Sequence, residues 1–179
     1  MPRGKSRNTK DLFKKVKLLL LDVDGVLTRG EIIYDSHGGE SKIFNVKDGL
    51  GVVLLAAAGI KTIIITAKDG PVVRRRARDM KIAQVFAGIL PKEQSLPLIK
   101  KQYKVSEGEM CFMGDDLLDL GLMKKVGVPV TVGDAPSVIK KAAAYVTERY
   151  GGEGAVREVV DLIIEARGLG DIISRFLKV

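Results

Sequence analysis

Apolar positions along this chain fall into two alternating rhythms. Short continuous runs, VKLLLLDV from Val16, KTIIIT from Lys61, QVFAG from Gln84, MCFMG from Met110, VPVTV from Val128 and YVT from Tyr145, read as strands buried on both faces. Between them, DGLGVVLLAAAG, PVVRRRARDM, KEQSLPLIKKQY, DLLDLGLMKKV, APSVIKKAAA and GAVREVVDLIIEARG read as helices. Strand and helix in regular alternation predict an α/β fold of three layers, α/β/α and Rossmann-like, around a mostly parallel sheet. One insertion breaks the rhythm. At about residues 29–45, two short β-like segments flank the turn-rich DSHGG and predict a small β-hairpin flap over the end of the first strand. The expected organisation is a flexible basic tail over 1–15, a domain over 16–168 and a C-terminal tail over 169–179. That last segment carries Ile172, Ile173, Phe176 and Leu177, for which the predicted sheet leaves no face, so it is expected to dock on a neighbouring subunit.

A length of 179 residues with 46% hydrophobic content fits a single domain with a real core. No apolar run approaches the roughly 20 residues of a membrane helix, and the opening MPRGKSRNTK lacks the hydrophobic stretch of a secretion signal. The expectation is a soluble, cytoplasmic protein that does not bind membranes. One cysteine, Cys111, and one histidine, His37, cannot build a Cys/His zinc site within a chain, and Cys111 in the apolar MCFM reads as core. The net charge of +8 is spread along the whole chain, and with no tryptophan and 5% aromatics there is little for bases to stack on. Nucleic acid is therefore not an expected partner. A basic surface that draws in anionic small substrates is.

Where the predicted strands end, the chain turns polar. The first ends in Asp22 and Asp24, the second in Thr66, the helix after the third begins at Lys92, and the fourth runs into Asp115 and Asp116. In open α/β sheets ligands bind beyond the carboxyl ends of the strands, so these groups converge on one edge. Each alone has a bland reading: Thr66 as a strand residue, Lys92 as a solvated lysine, Asp116 as a helix cap. In this order they suit phosphoryl transfer. Asp22 is placed as nucleophile, Asp24 as general acid and base, Thr66 and Lys92 as holders of phosphoryl oxygens, and Asp22, Asp24 and Asp115 as ligands of Mg²⁺.

DVDGVLT, IIIT, the Lys92 segment and GDDLLDL resemble, in order and spacing, the four motifs of the haloacid dehalogenase superfamily. FNVKDG, GDDLLDLGLMKKVG and YVTERYGGEGAVREV narrow the likeness to its capless branch, whose phosphatases act on 3-deoxy-D-manno-octulosonate 8-phosphate in lipopolysaccharide synthesis. The resemblance implies no cap domain, a homotetramer whose subunits complete one another's sites, and metal ligation by Asp24 through its backbone carbonyl. It also names Asp48 as a substrate-binding candidate. Arg157, after GGEGAVR opens the last helix, is read either as a cation near the sugar acid or as part of a plain glycine turn. Arg76 is read either as a contact across a subunit boundary or as a surface residue. Where the family usually has Ile-Thr-Gly-Arg, this chain has Ile65-Thr66-Ala67-Lys68, so Lys68 supplies charge toward a substrate carboxylate without arginine's fork. A nine-carbon sugar acid 9-phosphate is the alternative substrate. An inactive binding module of the same fold is the alternative class, which intact Asp22, Asp24, Lys92 and Asp115 argue against.

Overall fold

The predicted strand runs pair into one six-stranded sheet. In the computed structural model, which describes residues 8–177, these strands are β1 (Leu18–Leu21), β4 (Lys61–Thr66), β5 (Gln84–Ala87), β6 (Met110–Met113), β7 (Val128–Thr131) and β8 (Tyr145–Val146), in the order β5-β4-β1-β6-β7-β8. Every neighbouring pair is parallel. Parallel strands need crossovers, and helices supply most of them: α2 (Val46–Ala57), α3 (Pro71–Asp79), α4 (Leu96–Tyr103), α5 (Leu120–Met123) and α6 (Ser137–Ala142). The remaining helices are α1 (Asn8–Phe13), α7 (Ala155–Ala166) and α8 (Asp171–Leu177). The expected Rossmann-like α/β/α architecture is the one observed.

β1 lies at the centre, and its four leucines are closed off on both edges and both faces. Its register sets Leu21 opposite Ile64 of β4 and Met113 of β6. The residues that follow these three strands therefore emerge on one edge, where the connections from β1 and β6 diverge. The insertion after β1 forms the antiparallel pair β2 (Ile33–Tyr34) and β3 (Glu40–Ser41), with Tyr34 opposite Glu40. Asp35 shapes its turn by accepting hydrogen bonds from the backbone N–H groups of His37 at 2.7 Å and Gly39 at 2.8 Å.

Two end segments differ from expectation. The tail expected through residue 15 becomes α1 from Asn8, because Phe13 has an apolar slot to fill. It is fully buried, α1 packs on α7, and its ring meets Tyr145 edge to face at 5.7 Å. Residues 1–7 lie outside the described residues. At the other end, Gly168 (φ 65°) ends α7, and α8 turns back onto α2 of the same chain with Ile172 buried. Phe176 is 41% exposed, and residues 178–179 lie outside the described residues. Among the described residues, no helix is long and apolar enough to cross a membrane.

Asp48 also has a role the sequence did not suggest. It sits in the first turn of α2 with no solvent exposure, and its Oδ1 accepts the backbone N–H of Arg157 at 2.8 Å, joining α2 to the start of α7. Burial pushes its pKa up, opposed by backbone N–H groups at the same helix start. A carboxylate at that position satisfies donors the helix cannot satisfy itself. Replacing Asp48 with Ala leaves them buried and unpaired, so Asp48→Ala should lower unfolding free energy by about 1–3 kcal/mol in urea denaturation. An unchanged midpoint would show that the α2–α7 junction does not depend on it.

Candidate active site

A single lysine organises the edge where β1, β4 and β6 end. Lys92 opens a short 3₁₀ turn (Lys92–Ser95) before α4, and Ser95 Oγ donates to its carbonyl at 2.7 Å. Its side chain is 2% exposed, and Nζ lies 2.8 Å from Asp22 Oδ1 and 2.6 Å from Asp119 Oδ1. A buried ammonium is tolerated only when paired in this way. Burial pulls its pKa down, yet the two carboxylates more than compensate and hold it above the ordinary lysine value.

Asp119 has the larger structural task. Its Oδ1 binds Lys92, and its Oδ2 accepts the backbone N–H groups of Asp115 at 2.8 Å and Asp116 at 3.2 Å. Both oxygens are thus engaged, and the loop after β6 is fixed with Asp115 presented to the pocket. Gly114 makes room for this, since a Cβ there would lie 2.5 Å from that of Asp119. Gly25 does the same opposite. It has φ 86°, and a Cβ would come within 2.0 Å of Asp115 Oδ2. Asp116 takes the capping role its sequence position allowed, its Oδ1 accepting the Leu117 N–H at 2.7 Å.

The result is a cavity of about 360 Å³ lined by Asp22, Asp24, Thr66, Lys68, Lys92 and Asp115, among others. Carboxylate oxygens of Asp22, Asp115 and Asp119 all lie within 4.8 Å of one another. Burial raises the pKa of Asp22 to about 6 despite Lys92, and burial followed by the charges of Asp22 and Asp119 raises that of Asp115 to about 7. One ammonium among three carboxylates leaves negative charge uncompensated, so the site fits a divalent cation. Because Asp119 already accepts from three donors, Asp22 and Asp115 are the carboxylates with more lone pairs left to offer it.

Of the nine residues singled out from sequence, six meet here: Asp22, Asp24, Thr66, Lys68, Lys92 and Asp115. Asp48, Arg76 and Arg157 do not line this cavity. Asp48 is spent on α7, Arg76 donates to the Asn45 carbonyl at 2.8 Å over the Phe44 ring, and Arg157 pairs with Asp161 at 2.8 Å. Arg157 lines a separate hollow of about 630 Å³ with Lys47, Tyr145 and Glu158. Asp119 was visible in GDDLLD but had no assigned task, since a saturated carboxylate looks locally like any helix-start acid. Lys42 and Glu40 were missed outright. They reach the site only because the hairpin folds back, with Lys42 Nζ 2.6 Å from Asp24 Oδ1 and Glu40 Oε2 2.8 Å from Lys68 Nζ.

A family model described as haloacid dehalogenase-like hydrolase matches residues 61–159. The chain is 38% identical over 169 residues to the 3-deoxy-D-manno-octulosonate 8-phosphate phosphatase of Haemophilus influenzae, covering 93% of this chain and 94% of that protein. Among solved structures, the Moraxella catarrhalis phosphatase of the same name, in complex with magnesium, phosphate and KDO, superposes with a TM-score of 0.88 at 34% identity. That match covers 95% of this chain and 97% of the other. The cobalt-bound Haemophilus influenzae enzyme superposes with a TM-score of 0.84 at 38% identity, covering 88% and 92%.

The crowded carboxylates predict an inverted pH response without metal. Asp22 and Asp115 bind protons more tightly folded than unfolded, so their contribution to stability is lost as pH rises from about 4 through about 6 and 7. In EDTA the melting temperature should fall between pH 5 and pH 7.5, and millimolar Mg²⁺ should remove most of that fall. A melting temperature in EDTA that is flat or rises across this window would contradict the charge crowding.

Proposed function

The chain belongs to the haloacid dehalogenase-like hydrolases, and from that premise we propose that it is a phosphatase of 3-deoxy-D-manno-octulosonate 8-phosphate acting with Mg²⁺. The observation that carries the chemistry is the Asp22 carboxylate 2.8 Å from a buried Lys92 ammonium, lining a cavity that Thr66 and Asp115 also line. Asp22 attacks phosphorus, the bond from phosphorus to the sugar oxygen breaks, and the Asp24 carboxyl gives that oxygen its proton. Water then attacks the aspartyl phosphate. Asp24 takes the proton from that water, and free phosphate and Asp22 are regenerated. Lys92 and Thr66 hold phosphoryl oxygens through both halves, and Lys92 also keeps Asp22 ionised and aimed.

Asp22, Asp115 and the Asp24 carbonyl would hold Mg²⁺, which supplies positive charge to the phosphoryl oxygens when bound. Lys68 lies on the loop after Thr66, 46% exposed in its side chain, and is assigned to the substrate carboxylate. Its sign suits an acid group at the far end of an eight-carbon sugar. A homotetramer is supported by apolar side chains left in solvent on and beside the hairpin: Ile32, Ile33, Tyr34, Ile43 and Val46 are 40–78% exposed.

The deciding experiment is phosphate release from a panel of sugar acid phosphates. Wild type with Mg²⁺ should prefer the eight-carbon substrate to nine-carbon 9-phosphates, and EDTA should abolish turnover. Asp22→Asn should be inactive while folded, and Asp24→Asn should lose roughly 10²- to 10⁴-fold. Lys68→Ala should lose kcat/KM mainly on the eight-carbon phosphate. Preference for a nine-carbon phosphate would overturn the substrate, and near-normal turnover in Asp22→Asn would overturn the mechanism.

A further inference from the structure

The hairpin reaches into the site with a residue that the proposed chemistry has not yet used. Lys42 follows β3, and its side chain is only 4% exposed. Its ammonium is paired twice, with Asp24 Oδ1 at 2.6 Å and Glu40 Oε1 at 3.0 Å. Glu40 continues the chain of charges by binding Lys68 through its other oxygen at 2.8 Å. Among the described residues, no other hydrogen bond reaches the Asp24 side chain.

We propose that Lys42 is a positioning residue for the reaction: by holding Asp24 Oδ1 it fixes the carboxyl plane and leaves Oδ2 as the oxygen that carries the proton to the leaving sugar. The inference rests on the reading of Asp24 as general acid and base. A carboxyl with two equivalent oxygens and free rotation about its side-chain bonds spends little time in one transfer geometry. A short charge-assisted hydrogen bond to one oxygen removes that freedom. The proton then has one place to reside. It passes from Oδ2 to the ester oxygen as that oxygen leaves phosphorus, and returns to Oδ2 from the attacking water. Because Lys42 is carried by the flap, Asp24 is in register only when the hairpin is folded over the pocket. Glu40 ties the same flap to Lys68, so the acid and the substrate-binding cation are set by one structural element.

The test compares leaving groups. p-Nitrophenolate departs without needing a proton, whereas the sugar alkoxide does not, so the ratio of kcat/KM on 3-deoxy-D-manno-octulosonate 8-phosphate to that on p-nitrophenyl phosphate reports proton donation. The fraction of correctly folded enzyme cancels in that ratio. Lys42→Met should lower the ratio by roughly a hundredfold, the cost of a misplaced catalytic group. Lys42→Arg, which keeps a cation on Oδ1, should restore most of it. In an Asp24→Asn background, Lys42→Met should lower the ratio no further, since the two act as one unit. Equal loss on both substrates, or losses that multiply in the double variant, would overturn the positioning role. An Asp24→Asn enzyme that keeps the wild-type ratio would overturn the acid and base reading beneath it, independently of how Lys42 variants behave.

Discussion

A buried ammonium clamped between two carboxylates is the constraint on which this molecule turns. Lys92 is 2% exposed, and Asp119 on one side of it is 1% exposed. Taking three charged groups out of water costs several kcal/mol per ion unless geometry and further hydrogen bonds compensate. Compensation here depends on the whole sheet. Asp22 comes from the end of β1, Lys92 from the turn after β5 and Asp119 from the turn after β6; the parallel sense of the strands brings those three connections to one edge, and the order β5-β4-β1-β6 sets them near one another. The apolar register of β1 against β4 and β6 sets the height at which each strand stops. Core packing and the charge cluster are therefore one design, since slipping β1 or β6 by a residue would turn the carboxylates that follow it toward the other face.

The same cluster explains why Asp119, rather than Asp22, is the most heavily bonded of the acids. Asp22, the proposed nucleophile, keeps a free lone pair because its bonds are few: Lys92 at one oxygen and a backbone group beside it. Asp119 absorbs the structural demand instead, accepting from Lys92 and from two backbone N–H groups. Division of labour between a saturated and an underused carboxylate separates rigidity from reactivity. A site in which every acid was equally hydrogen-bonded would be well ordered and chemically inert.

Much of this was legible in the sequence because it is written in short range. Each strand is a continuous apolar run, each helix has its own spacing, and the chemical residues sit at strand ends that the alternation of elements locates. What escaped reading depends on tertiary contact. Phe13 looked like part of a basic tail because the slot it fills beside Tyr145 is made by β8, more than a hundred residues on. Ile172 looked unpartnered because the face it covers belongs to α2, not to the sheet. Asp48 and Arg157 carry the charges expected of substrate ligands, yet their hydrogen bond is to each other's helix, and no local pattern distinguishes a ligand from a strut. Lys42 and Glu40 lie in a two-stranded flap whose direction of fold cannot be inferred from its turn.

That flap also answers how one small domain encloses a reaction that requires water to be controlled. The pocket is open on the solvent side of the sheet edge, and among the described residues no second domain covers it. The hairpin bears charge toward the pocket and isoleucines in solvent: Glu40 and Lys42 face Lys68 and Asp24, with the Tyr34 ring 5.7 Å from Lys68 Nζ on the same face, while Ile32 and Ile33 are exposed. Such a distribution inverts what an isolated flap should show, because apolar side chains are normally the ones turned inward. It follows if the outer face is covered by protein in the working state, so that the flap is pressed onto the site from outside while its charges hold it from within. Ion pairs alone would make a weak hinge, since partly exposed pairs contribute little. Burial of the outer face would supply the remaining stabilisation, and assembly would then be a condition for an ordered active site rather than an addition to it.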